Sequence, residues 1–452
     1  MRGNCSRSHT PDWNHDLKSF VSRAHGVATN SLRRWNAQSV DFRWFILALC
    51  VSTVGGAMVD PAFNNYLRDT FHLAADKRGQ LELPRELPGF LVTVTSGLLF
   101  FLPEVRTAAV ATAATAIGIG GLAWAGANYG VMIGFMVLWS TGLHLMMPMR
   151  SSITLAFAKE GRQATLLGTT GSITTVAAIL GSAIGWWIFG TLGTNPRTYN
   201  AIFILGASLT GMSALILLKM RVPATAQDQP RPKLVVKRRF IVYYLMSMIN
   251  GARKQVFITF APWVLITIFH RGPSTFAALA ITSALLGIVV QPTLGGLIDR
   301  LGERRILMME GFFLFFVCLG YGFAHRISTG GTVILIVYAC FVLDNLLFSV
   351  GMARVTYVNK LAEKAEDVTA TLSLGVTLDH VISMSIPILG GATWVIWGFE
   401  YVFAGAAGLA VLSVFVASFV RVPRVPLRTP IVVTEEEGPG TCRTEEIGRT
   451  SA

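Results

Sequence analysis

Gly295-Gly296-Leu297-Ile298-Asp299-Arg300-Leu301-Gly302-Glu303-Arg304-Arg305 is a short charged hairpin set between two long apolar stretches, roughly 275–297 and 304–325. Each flank is long enough to cross a hydrocarbon core, which takes about 20 helical residues. Two glycines permit close helix approach. Asp299 closes one helix, and arginines cluster around the turn. The flanks therefore read as consecutive membrane spans joined at the surface.

Composition agrees independently. Hydrophobic residues make up 52% of the chain and charged residues 14%, with a mean hydropathy of +0.54. A soluble domain carries about 25% charged residues. Hydropathy predicts twelve spans, at about 43–66, 86–103, 105–127, 129–156, 165–192, 199–220, 240–269, 275–297, 304–325, 330–356, 369–396 and 399–421. In lipid each backbone polar group must be satisfied within its own segment, so these are helices. The expected fold class is an all-α polytopic membrane protein.

The net charge of +13 is topology rather than a nucleic-acid footprint. With the N-terminus in the cytoplasm, seven of the 38 Lys and Arg fall in outer loops, namely Arg68, Lys77, Arg78, Arg85, Arg197, Arg271 and Arg326. Nearly all the others lie on the inner side, which satisfies the positive-inside rule and puts both termini in the cytoplasm. Residues 1–42 form a basic cytoplasmic tail without the apolar core of a signal peptide. Residues 422–452, with Glu435-Glu436-Glu437 and scattered Gly and Pro, read as a disordered cytoplasmic tail. The five cysteines show no paired spacing, so neither disulfides nor a metal site are implied.

The chain repeats itself. At an offset of 198, Phe42 meets Phe240, Gly89 meets Gly287, Gly97 meets Gly295 and Arg106 meets Arg304; at 204, Arg150 meets Arg354, Thr165 meets Thr369 and Gly171 meets Gly375. Two equivalent six-helix halves follow, 43–220 and 240–421, joined by a linker at 221–239. An even number of spans per half makes the copies parallel.

The Gly295–Arg305 stretch resembles the signature loop of the major facilitator superfamily, whose pattern is close to G-x-L-x-D-R-x-G-R-R/K. The resemblance covers about 43–421. It implies twelve transmembrane helices in two parallel-repeat six-helix bundles that rock about a central site, the alternating-access cycle of a secondary transporter. In that superfamily the loop Asp pairs with Arg across the inner face and holds the outward-open state. The role carries over to Asp299, with Arg300, Arg304 and Arg305 as partners beside Gly295. The first-half copy around Gly97 has Phe101 where Asp299 stands, and Glu104 is a substitute acid. Arg150 and Arg354, the repeat-related pair, lie near the inner mouth and complete the expected gating set.

Span 7 carries the chemistry. It runs from Phe240 to Phe269, and its midpoint falls on Arg253-Lys254. Each charge at mid-bilayer costs about 2.5–3.5 kcal/mol on insertion scales, so the pair costs roughly 5–7 kcal/mol unless it faces water, a counter-ion or a substrate. Ser247, Asn250, Arg253, Lys254 and Phe257 follow i, i+3, i+4 spacing and form one stripe. The first helix of each half lines the cavity in the superfamily, which makes this stripe the expected positive wall. Substrate-binding residues are then Arg253, Lys254, Asn250, Phe257 and, beside Asp344 on span 10, Asn345. Two readings stay open for the cations: an anchor for an anionic group, or a buried network with Asp344 and Asp379. Asp344, Asp379 and His144 are the proton-coupling candidates, because burial and neighbouring charge tune when such groups take a proton. In the first half Thr53, Gly56, Asp60 and Asn64 form a second stripe.

P-loop, HExxH, GxSxG and Cys/His-cluster patterns are missing, which argues against ATP-driven transport or a membrane enzyme. The expectation is a secondary active carrier of a small anionic or zwitterionic organic solute. It needs no cofactor beyond a proton gradient, and works as a monomer in the cell (inner) membrane with no nucleic-acid partner. A drug or metabolite:proton antiporter is one alternative, given the partial Gly-Pro motif at Ile386-Pro387-Ile388-Leu389-Gly390-Gly391. A non-transporting sensor on a transporter scaffold is another.

Overall fold

A computed structural model describes residues 38–91, 102–126, 128–158, 163–220, 236–363 and 365–422. The N-terminal tail before residue 38, linker residues 221–235, the loop copy around Gly97 and the tail after residue 422 lie outside the described residues.

The first half comprises α1 (Val40–Phe71), the short α2 (Ala75–Gln80) and α3 (Glu82–Phe90), α4 (Glu104–Ala125), α5 (Tyr129–Ala156), α6 (Gln163–Leu192) and α7 (Pro196–Leu218). The second comprises α8 (Ile241–Thr267), α9 (Pro273–Leu301), α10 (Glu303–Ile327), α11 (Gly331–Leu347), α12 (Gly351–Leu361), α13 (Ala365–Trp397) and α14 (Phe399–Ala417). A 3-10 turn at Phe348–Val350 joins α11 to α12, so the two make one crossing. Ten helices among the described residues are long and apolar enough to span a membrane. Of the other two expected spans, α8 is as long but holds Arg253 and Lys254, and 86–103 is described only at its two ends.

Local chemistry sets the helix ends. The side chain of Ser39 accepts from Phe42 N–H at 3.2 Å, and Asn195, followed by Pro196, accepts from Thr198 N–H at 3.1 Å. Such caps satisfy donors that a helix start leaves open. Gly302 turns the chain between α9 and α10 at φ 81°, a backbone region that a side chain disfavours. That is the physical need behind one glycine of the quoted stretch.

The two halves pack alike. In the first, α1 lies against α6 and α7, and α4 against α5 and α7; in the second, α8 lies against α13 and α14, and α10 against α11 and α14. The halves meet where α6 packs on α9 and where α2 and α3 pack on α13. One apolar cluster (Phe42, Phe45, Leu49, Ile153, Leu217) is confined to the first half at the face bearing the described chain ends, the terminal face. The main core runs through both halves, from Phe63, Tyr66 and Phe203 to Phe260, Trp263 and Phe403. Polar links between the halves run from mid-depth to the opposite face: Glu86 with His380, Gln255 with Glu82 at 2.5 Å, and Asn65 with the Arg271 carbonyl at 2.8 Å. The molecule is thus closed at the face away from its termini.

Candidate functional site

Below that closure lies a cavity of about 840 Å³ between the two halves. The first half contributes Asp60, Phe63 and Asn64 from α1, Arg85 and Glu86 from α3, and Trp139 and His144 from α5. Facing them are Ser247, Asn250 and Lys254 from α8, Phe348 and Arg354 from the α11–α12 crossing, and Asp379 and His380 from α13. The volume suits a small organic molecule, for which sites of about 300–1,000 Å³ are usual.

Helix geometry decides which polar residues reach this space. Ser247, Asn250, Lys254 and Ile258 line it at i, i+3, i+7 and i+11 of α8. Adjacent helical residues point about 100° apart, so Arg253 and Phe257 turn away. Arg253 is buried and donates to the Asp344 carboxylate at 2.7 Å, with both side chains almost fully enclosed. Its guanidinium lies over the Phe348 ring at 4.4 Å, one layer behind the cavity wall. Phe257 packs on Tyr321 and Phe403. Asn345 is exposed and donates to the Phe341 carbonyl of its own helix. Of the five residues expected to bind substrate, Asn250 and Lys254 line the cavity; Arg253, Phe257 and Asn345 do not.

A polar chain crosses the second-half wall. Lys254 pairs with Asp379. Asn250 donates to the same carboxylate at 3.1 Å and accepts from Arg354 at 2.9 Å, while Arg354 also pairs with Glu310 at 2.9 Å. Gly251 makes this reach possible, since a Cβ there would lie 2.9 Å from the Asp379 Cα. Of the proton-coupling candidates, Asp379 and His144 face the cavity and Asp344 sits behind it.

A second network seals the cavity's closed end. Arg78, Glu82 and Gln255 are buried; Arg78 pairs with Glu82 and donates to Asn64 at 3.0 Å, and Arg85 reaches Glu82 at 2.9 Å. Sequence reasoning placed Arg78 and Arg85 in an outer loop and gave Glu82, Glu86 and Gln255 no role. The Glu82-x-x-Arg85-Glu86 spacing, one helical turn of charge leading into an apolar span, was the available signal.

At the terminal face Asp299, Arg300, Arg304 and Arg305 are exposed, and none forms an ion pair among the described residues. Gly295 has open space where a side chain would be. Glu303 of the same turn is buried and pairs with Lys360 at 2.6 Å. Arg150 bonds Thr174 within the first half at 2.8 Å, and Glu104 accepts from Ser152 at 2.7 Å. Nearby, Arg239 and Glu363 pair at 2.6 Å; the bond holds Arg239 above and Glu363 below its ordinary pKa.

Two like helical halves, closed at one face around a charged interfacial cavity, define the secondary-transporter class of membrane protein. The sequence model of the Major Facilitator Superfamily matches residues 89–378 and 243–445. The chain belongs to that family. No curated protein matches it. Among solved structures it is similar to the nucleoside transporter NupG, at 13% identity and a TM-score of 0.67 over 84% of this chain and 98% of that one. It is also similar to the xylose transporter XylE from E. coli in an inward-open conformation, at 12% identity and 0.67 over 85% and 97%. A bacterial homologue of the iron transporter ferroportin in an inward-facing state gives 12% and 0.65 over 84% and 98%. At these identities the likeness is one of fold.

Proposed function

We propose that this transporter carries a small zwitterionic organic solute and couples its movement to protons. The observation behind the reading is the charge layout of the cavity. Among the described residues, Lys254 on the second-half wall pairs with Asp379 alone, and Asp60 on the first-half wall forms no ion pair. A carboxylate on the solute would take Lys254, and an ammonium group would take Asp60. Trp139, Phe63 and Tyr243 supply apolar wall between them.

Coupling follows from competition. A solute carboxylate that claims Lys254 leaves Asp379 without its cation, and a carboxylate deprived of its cation partner takes a proton more readily. Solute and proton are then loaded together, with His144 as a second acceptor on the facing wall. Asp344 is assigned to structural pairing with Arg253. The Asp299 loop is assigned to a latch that engages when the terminal face closes, in keeping with its unpaired state here. By this account the chain sits in the cell (inner) membrane with both termini cytoplasmic and works as a monomer.

Counterflow in proteoliposomes tests the reading with a panel of amino acids and betaines under an imposed pH gradient. Wild-type protein should accumulate at least one zwitterion uphill. Lys254→Gln should weaken that solute's binding by tenfold or more, and Asp379→Asn should keep exchange but lose uphill accumulation. Wild-type affinity in Lys254→Gln would reject the anchor, and pH-driven accumulation by Asp379→Asn would reject the coupling site.

A further inference from the structure

We infer that Glu86, His144 and His380 form a site for a divalent transition-metal cation that clamps the two halves together. The three ligand-bearing atoms, a carboxylate oxygen and one nitrogen from each ring, lie within 4.8 Å of one another. Glu86 and His144 come from the first half and His380 from the second. The His380 Nε2 is 3.8 Å from Glu86 Oε2, and the two rings meet edge-on with centroids 5.5 Å apart.

Both imidazoles are presented in the form a metal needs. His144 Nδ1 is 2.8 Å from the Ser140 carbonyl, and His380 Nδ1 is 2.9 Å from the Val376 carbonyl. A carbonyl oxygen can only accept, so each Nδ1 carries the hydrogen, and in the neutral ring Nε2 is the nitrogen that offers a lone pair. Backbone carbonyls fixing the far nitrogen in this way are the usual support of metal-binding histidines. Arg85 approaches Glu86 Oε1 at 3.7 Å and leaves Oε2 directed at His380. Gly89 makes room for the pair: a Cβ there would lie 2.5 Å from the His380 ring and 2.6 Å from the His144 ring.

The donor set selects the ion. Two imidazole nitrogens and one carboxylate oxygen suit zinc and its first-row neighbours and do not suit magnesium or calcium. Bonds of about 2.0–2.2 Å put tetrahedral ligand atoms about 3.4 Å apart, so the 3.8 Å His380–Glu86 contact closes by about 0.4 Å and the other pairs, within 4.8 Å, by at most about 1.4 Å. The fourth position opens onto the cavity, which Glu86, His144 and His380 all line. Because the ligands come from both halves, the ion binds the conformation closed here and no conformation that parts them. Linkage then stabilises the closed state. Metal binding needs nothing from the solute assignment; the resulting block of exchange requires only that the halves part during the cycle.

Purified full-length protein is titrated with Co²⁺ and with Zn²⁺, with Mg²⁺ as control. Expected are one bound ion per chain, the intense visible absorption of four-coordinate cobalt, its bleaching by Zn²⁺, and a Zn²⁺-dependent rise in melting temperature that Mg²⁺ does not give. His380→Gln should melt like wild type without metal and lose at least tenfold in Zn²⁺ affinity, as should Glu86→Gln. If a variant fails to fold, the wild-type cobalt spectrum still decides. Only the weak absorption of six-coordinate cobalt, or unchanged Zn²⁺ affinity in folded variants, overturns the site. Radioactive Zn²⁺ accumulating inside proteoliposomes would overturn the clamp by making the ion cargo.

Discussion

The contrast between Arg253 and Lys254 is a contrast of 100° around one helix. Both stand midway along α8 and both have a carboxylate partner, yet Lys254 touches the cavity and Arg253 is walled off behind Phe348. Removing one member of an enclosed ion pair leaves the other charge buried and costs about 3–5 kcal/mol, whereas replacing both with apolar groups is often neutral. Arg253→Leu should therefore lower the unfolding midpoint sharply in detergent, and Arg253→Leu with Asp344→Leu should restore most of it. The double variant should also keep the wild-type affinity for the transported solute. A single variant as stable as wild type would remove the structural assignment. The sequence exposed the anomaly of two mid-span cations, because an apolar run makes any charge conspicuous. It could not choose between them, because the partner carboxylates lie some ninety and more residues away on helices whose rotation no local pattern specifies.

At the scale of helices, contact between α8 and α13 holds the cavity wall together. Gly251 lies against the Asp379 backbone, and a side chain there must push the two helices apart. Gly251→Val should cost about 1–3 kcal/mol, the usual penalty for overpacking, and should blunt the pH dependence of solute accumulation by separating Lys254 from Asp379. Gly56→Ala on α1, where a Cβ would meet nothing within 4 Å, should leave both quantities unchanged. Equal effects from the two substitutions would show that helix approach does not set the site. Span 10 shows where hydropathy stops being informative. It reads as one apolar stretch at 330–356, but the chain makes a 3-10 turn at Phe348–Val350 and continues as α12 to Leu361. That turn places Phe348 between Arg253 and the cavity, and a hydropathy window averages over it.

For the whole molecule the decisive contact is the closure of α2 and α3 on α13. A Cβ on Gly391 would lie 2.8 Å from the Asp76 Cα, close enough for a cross-link between the halves. With Asp76→Cys and Gly391→Cys in a background lacking the five native cysteines, oxidation should stop solute exchange and a reductant should restore it. Gly391→Cys alone, whose side chain meets the α2 backbone, should loosen this face, so the double variant is compared with itself before and after reduction. Undiminished exchange through a verified cross-link would rule out parting of the halves at this face. The repeat was legible as scattered identities at two offsets, and the structure renders it as matching helix contacts in the two halves. Phe42 and Phe240, an aligned pair, are both buried at the start of their halves.

The sequence alone determined the membrane class, most of the helical spans, the repeat and the family, because lipid imposes its demands on each segment separately. A span must be apolar and hydrogen-bonded within itself, and a charged turn must stay at the surface. Tertiary structure alone decided which charges share a cavity. Glu86, His144 and His380, and Lys254 with Asp379, come together through the rotation of each helix about its axis and the packing of one half on the other. Those are properties of pairs of segments distant in the chain, and nothing in either segment by itself encodes them.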